Sequence, residues 1–167
     1  MPDKSHTRSR GFTWIELTMV VAVIAILAAM AIPSMLDSAV KKQVKEGMTL
    51  ADIAKAGVQA AFALTGTMPA NNEAAGLPAS DKIVGNYVRD VKVEGGAVTL
   101  TYGNNASKYL LDKQVTLRPA VVPGELRVPI AWVCHDAPVP KGMELTGEDR
   151  TNLPPNHLPV ECRAGGK

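Results

Sequence analysis

The chain lacks the usual marks of an enzyme. Its 167 residues contain no G-x-S-x-G, no phosphate-binding loop and no H-E-x-x-H. The usual starting points for serine-hydrolase, nucleotide and zinc-protease chemistry are therefore absent. Ser38-Ala39-Val40-Lys41 matches S-x-x-K, but its companions S-D-N and K-T-G are missing, so it is read as chance. Charge imbalance is also lacking. A formal net charge of +2 argues by itself for neither a nucleic-acid partner nor an anionic membrane. Hydrophobic residues make up 46% and charged residues 20%, which excludes a multispan membrane protein, a disordered chain and a collagen-like chain. The expectation is a non-enzyme with no cofactor and one domain's worth of chain.

What is present is concentrated at the N-terminus. Residues 1–11 carry Lys4, Arg8 and Arg10 against Asp3, which accounts for the whole net charge. From Phe12 to Leu36 the chain is apolar, with Glu16 the only charge before Asp37. As a helix this stretch would measure about 37 Å, enough for a hydrocarbon core of about 30 Å with some tilt. Basic residues ahead of the span place the N-terminus in the cytoplasm and the rest of the chain outside. Three readings compete. A signal peptide could be cut after Ala29-Met30-Ala31. A plain anchor would explain the apolar run but not Glu16, since a charge near the centre of a span costs roughly 2.5–3.5 kcal/mol. A leader could be cut ahead of the run, leaving the run on the mature protein.

The third reading has a specific pattern behind it. Gly11-Phe12-Thr13-Trp14-Ile15-Glu16, followed by an apolar helix containing Pro33, resembles the N-terminus of type IV pilins. The resemblance implies that a prepilin peptidase cuts between Gly11 and Phe12 and N-methylates Phe12. It makes Glu16 the fifth mature residue and Pro33 the twenty-second, as the family pattern requires. Trp14 stands where the family usually has an aliphatic residue, and it remains apolar. Glu16 needs a positive partner in an apolar setting. The new amine of Phe12 can supply it, four residues away on the same helix or on a neighbouring subunit. The resemblance favours the inter-subunit pair, which would set the stagger of a filament. Pro33 removes a helix hydrogen bond to Ala29 and invites a kink.

Helical pattern continues beyond Pro33. Val40, Val44, Met48, Ala51, Ala54, Val58, Ala61 and Phe62 recur at steps of three or four, predicting an amphipathic half-helix that ends near Gly66. Gly47 and Gly57 weaken it by about 1 kcal/mol each relative to Ala. Residues 67–86 read as a long loop. Alternation through Val88, Val91 and Val93, then Gly95-Gly96, then Val98, Leu100 and Tyr102 predicts a hairpin. Val115 with Leu117, and Ile130 to Cys134, predict two further strands. The C-terminal stretch is proline-rich and loop-like.

Cys134 and Cys162 are the only cysteines. Both fall on the outer side of the span, where they are most simply a disulfide closing that stretch. The alternative is zinc held by these two with His135 and His157, but the spacing is unlike common zinc modules. Asn105-Ala106-Ser107 is a formal N-glycosylation sequon that is uninformative alone. A disulfide-closed C-terminal loop also agrees with the resemblance to type IV pilins.

These readings combine into an α+β expectation of the pilin type. A long N-terminal helical spine packs on a roughly four-stranded antiparallel sheet with a disulfide-closed C-terminal loop. The segments are a leader (1–11), a transmembrane and filament-core half-helix (12–36), an amphipathic half-helix (37–66) and a β head (67–167). By resemblance the product is a pilus subunit serving adhesion, twitching motility or DNA uptake. It is stored in the inner membrane with its head in the periplasm, then polymerised into an extracellular filament. Its partners are copies of itself, the prepilin peptidase, the assembly machinery of the inner membrane and, before assembly, membrane lipid. The alternatives are a monomeric tethered or secreted binding module, or a minor pilin or pseudopilin that primes a filament.

Overall fold

A computed structural model describes residues 11–164, with side chains described for 11–30 and 38–164. The chain forms two units, Met1–Asp37 and Ser38–Lys167. One helix, α1, runs from Trp14 to Thr65 through both. In the first unit its described side chains, Trp14 to Met30, are exposed on every side, and all but Glu16 and Thr18 are apolar. Among the described residues no helix is long and apolar enough to cross a membrane. The remainder of the apolar run, residues 31–36, falls in the stretch whose side chains are not described, and so does Pro33 with its expected kink.

In the second unit α1 is amphipathic as its periodicity predicts. Val40, Val44, Ala51, Ala54, Val58 and Phe62 are buried, with Met48 partly so. The helix ends where Gly66 adopts φ +71°. The Gly66 N–H donates to the Phe62 carbonyl at 2.8 Å, a left-handed glycine cap that satisfies an orphan carbonyl. Gly47 and Gly57, read from sequence as weak points, have a packing reason. A Cβ on Gly47 would lie 2.7 Å from the Tyr102 ring, and one on Gly57 would lie 2.8 Å from the Ala75 carbonyl and the Leu77 side chain. Helix propensity is given up so that other parts of the fold can approach the spine closely. The Tyr102 hydroxyl then donates to the Val44 carbonyl at 3.0 Å.

The sheet is antiparallel, in the order β1 (Val88–Glu94), β2 (Ala97–Tyr102), β3 (Gln114–Val121), β4 (Ala131–Cys134). A two-residue β5 (Glu144–Leu145) also pairs with β3. The expected hairpin turns at Gly95 and Gly96, both at positive φ, which matches the twist of its strands. Val91, Val93, Val98, Leu100, Tyr102, Val115 and Leu117 share one core with the buried face of α1. One sequence expectation needs correction. The alternation through β2 implies polar, uncovered Thr99 and Thr101, yet every residue of β2 is buried. Thr99 shares a hydrogen bond with Thr116 on β3, and Thr116 Oγ1 also accepts from the Arg150 amide. Thr101 donates to Asp90. The second face of the strand is thus covered by hydroxyl pairing and by the returning C-terminal segment.

A buried side chain helps to pin the long loop between helix and sheet. Asn72 is buried; its Nδ2 donates to the Pro78 and Val91 carbonyls, and its Oδ1 accepts from the Val93 amide at 2.8 Å. Val91 and Val93 lie on the outer edge of β1, so this amide satisfies backbone groups that an open sheet edge would expose.

Candidate functional site

Two places carry the residues singled out from sequence. The first is the start of α1. Gly11, Phe12 and Thr13 are non-helical and exposed, so the Gly11–Phe12 bond is sterically open. A Cβ on Gly11 would meet nothing within 4 Å; the fold itself makes no demand for glycine there.

Thr13 and Glu16 form a reciprocal cap. The Glu16 amide donates to Thr13 Oγ1 at 3.3 Å. The Thr13 amide and hydroxyl donate to Glu16 Oε2 at 3.2 and 3.0 Å. This is a capping box, in which the first-turn carboxylate also complements the helix dipole. In this chain Phe12 has a peptide bond in place of a free amine, and the Glu16 carboxylate is held by Thr13. The T-x-x-E spacing of Thr13 and Glu16 is the sequence signal for this contact.

The second place is the C-terminal loop. Cys134 and Cys162 form a disulfide with an S–S distance of 2.08 Å and a Cα–Cα distance of 4.7 Å. Both are buried. The bond ties the end of β4 to the 3-10 turn Val160–Cys162 and takes both thiolates that a zinc site would need. Among the described residues no group of three or more His, Cys, Asp or Glu could hold a metal ion. His135 turns instead to two aspartates: its Nδ1 lies 2.8 Å from Asp149 and its Nε2 lies 3.3 Å from Asp136. Burial would raise the Asp149 carboxyl, but hydrogen bonds from Thr151 and the contact with His135 outweigh it and hold the group below its ordinary value. No local motif joins residues 135 and 149, so only the fold reveals this cluster. Tyr102 also shifts clearly: burial pushes its phenol well above its ordinary value.

An exposed apolar helix followed by a helix-on-sheet head with a disulfide-closed loop is the architecture of a filament subunit. Residues 40–163 match the family model described as Pilin (bacterial filament). The chain belongs to the pilin family and is a structural pilus protein. It is 36% identical over 165 residues to a type IV major pilin protein, PilE1, of Neisseria gonorrhoeae, covering 95% of this chain and 89% of that protein. It is 33% identical over 168 residues to a fimbrial protein of Neisseria meningitidis serogroup A, covering 95% and 96%. A type IV major fimbrial protein, FimA, of Dichelobacter nodosus is 35% identical over 129 residues, covering 68% of this chain and 79% of that protein.

Proposed function

We propose that this chain is a type IV prepilin. It is cut between Gly11 and Phe12, N-methylated on Phe12, stored in the inner membrane and polymerised through its N-terminal helix into a surface filament. The observation that supports this most directly is an apolar helix with no cover in its own chain. Exposed large apolar residues run from Phe12 to Met30, far beyond the few hundred Å² of contiguous apolar surface that a soluble monomer tolerates. Lipid covers them before assembly, and the helices of neighbouring subunits cover them afterwards. On this reading residues 12–36 span the membrane, the N-terminus is cytoplasmic and the head is periplasmic.

Cleavage creates an amine at Phe12 and so the cation that Glu16 lacks in the precursor. The proposed assembly pair joins Glu16 of one subunit to the Phe12 amine of the next. The capping box keeps the carboxylate hydrogen-bonded until that exchange. Measuring the intact mass of the mature protein tests the processing step. Loss of residues 1–11 with gain of one methyl group is expected; an N-terminus at Ile32 would show a conventional signal peptide and end the proposal. Gly11→Ala should abolish processing while leaving the fold unchanged, because the added methyl has open space. Mature-sized product at wild-type yield from that variant would remove the assigned cleavage specificity.

A further inference from the structure

The helical turns that follow the apolar run are basic. Lys41, Lys42 and Lys45 come shortly after Leu36 on α1, and all three are exposed. Lys41 and Lys45 line one side of an open groove of about 370 Å³, and the returning C-terminal segment lines the other. That segment contributes an apolar rim, in which Leu158 is buried and Val160 is 54% exposed. It also contributes Arg163, whose guanidinium is fixed by backbone groups. Arg163 Nε and Nη2 donate to the Leu158 carbonyl at 3.0 and 2.6 Å, and Nη2 donates to the Asn156 carbonyl at 3.3 Å. These carbonyls orient the cation without neutralising it. Among the described residues no carboxylate pairs with Lys42, Lys45 or Arg163. Glu161 is the one acidic side chain in the lining, against the three cations Lys41, Lys45 and Arg163.

We propose that this groove seats the head group of an anionic phospholipid in the outer leaflet of the inner membrane. This seating presupposes the proposed span of residues 12–36. At the rise of a helix, Lys41 and Lys45 lie about 8 and 14 Å past Leu36. The head-group layer occupies about 5–8 Å beyond each face of the hydrocarbon core. Lys41 thus stands at the outer boundary of that layer, and tilt of the span lowers it further. Helical side chains lean toward the N-terminus of their helix, which here is the membrane side. The long stem of Lys45 therefore carries its ammonium toward the layer while lying along apolar surface.

The chemistry of the lining suits a lipid phosphate. Its oxygens accept charge-assisted hydrogen bonds from ammonium and guanidinium groups, and the rim at Pro159 and Val160 meets the apolar part of the same molecule. A zwitterionic head group brings its own cation against Lys41, Lys45 and Arg163, so the groove selects lipids of net negative charge. Each Lys or Arg near an anionic surface raises binding about fivefold, and salt screens the effect. A seated lipid would hold the C-terminal segment against the bilayer before assembly, and the contact would be given up when the subunit leaves the membrane.

The test is amide hydrogen exchange of the full chain in two kinds of vesicle, phosphatidylcholine alone and phosphatidylcholine with one third phosphatidylglycerol. Residues 14–30 should be protected in both, as the span requires. Residues 158–163 should be about fivefold or more better protected in the anionic vesicles. Lys45→Gln removes one exposed cation from the lining and should abolish most of that ratio, and Glu161→Gln removes the opposing carboxylate and should raise it. Inorganic phosphate added to the phosphatidylcholine vesicles should not reproduce the protection; if it does, the groove takes a free anion and the lipid assignment falls. Equal protection of residues 158–163 in the two vesicles, a ratio that survives Lys45→Gln, or a fall with Glu161→Gln would overturn the head-group site while leaving the span intact. Free exchange of residues 14–30 in both vesicles would instead end the span reading and the head-group site with it.

Discussion

Gly47 shows how a single residue can read one way in sequence and another in the fold. By propensity, Gly47→Ala should strengthen α1 by about 1 kcal/mol. Its Cβ would lie 2.7 Å from the Tyr102 ring, and both the helix and that buried ring are fixed. Overpacking of this kind costs about 1–3 kcal/mol, so the variant should melt below the wild type; a rise in melting temperature would refute the contact. Tyr102 carries a second expectation. Its buried phenol resists ionisation in the fold, whereas the unfolded chain ionises near pH 10. Stability should hold below about pH 10 and decline above it, as the unfolded state takes up charge that the folded state refuses. Tyr102→Phe should lose about 0.5–1.5 kcal/mol at neutral pH with the bond to Val44. Denaturant melts across pH 8 to 11 should show it shedding this contribution to the alkaline decline. Neither glycine's partner is legible from sequence, because Tyr102 and Leu77 reach α1 only through the tertiary fold.

At the scale of elements, most of the architecture is written in local pattern. The helix face, the Gly66 stop and the Gly95-Gly96 hairpin each follow from periodicity and turn chemistry, and each is found where that chemistry puts it. Contacts that do not follow a period are what stayed hidden: Asn72 on the edge of β1, the cover over Thr99 and Thr101, and the His135 cluster. They join segments far apart in the chain. The hairpin allows a sharp comparison between adjacent glycines. Gly95 has φ +56° with open space, while a Cβ on Gly96 would lie 2.7 Å from Met68 Sδ. Gly95→Asn should therefore be nearly neutral, since Asn tolerates that backbone, and Gly96→Ala should cost about 1–3 kcal/mol. Equal melting temperatures for the two variants would show that turn geometry alone sets the demand. The disulfide makes a larger contribution. It links residues 28 apart in sequence, and on the chain-entropy estimate Cys134→Ser should cost about 3–4 kcal/mol under oxidising conditions. Unchanged resistance to denaturant and protease would show that the loop is held by its other contacts.

For the whole molecule, the averages of the chain describe no single object. The net charge of +2 lies entirely in residues 1–11, and the ordinary hydrophobic fraction divides between a bare apolar helix and a packed head. On the proposed reading the two parts have different solvents, lipid or neighbouring helices for one and water for the other. Glu16 is the only charged residue in the apolar part and therefore the place where assembly is most open to a point change. Replacing it with Ala removes an inserted charge, so membrane insertion should be unimpaired. Cleavage should also proceed, since the Gly11–Phe12 bond keeps its exposed setting. What the variant loses is the partner for the Phe12 amine, a cation left unpaired in an apolar environment, and breaking a buried pair in this way costs about 3–5 kcal/mol. The expected outcome is a processed, methylated, membrane-held subunit with few or no sheared filaments. Thr13→Val separates the two roles of the carboxylate. It removes the hydroxyl side of the capping box, worth about 1 kcal/mol, yet leaves Glu16 free to pair between subunits, so filaments should persist at somewhat lower yield. If Glu16→Ala and Thr13→Val lower filament yield equally, Glu16 serves only as a helix cap, and the inter-subunit pair should be abandoned.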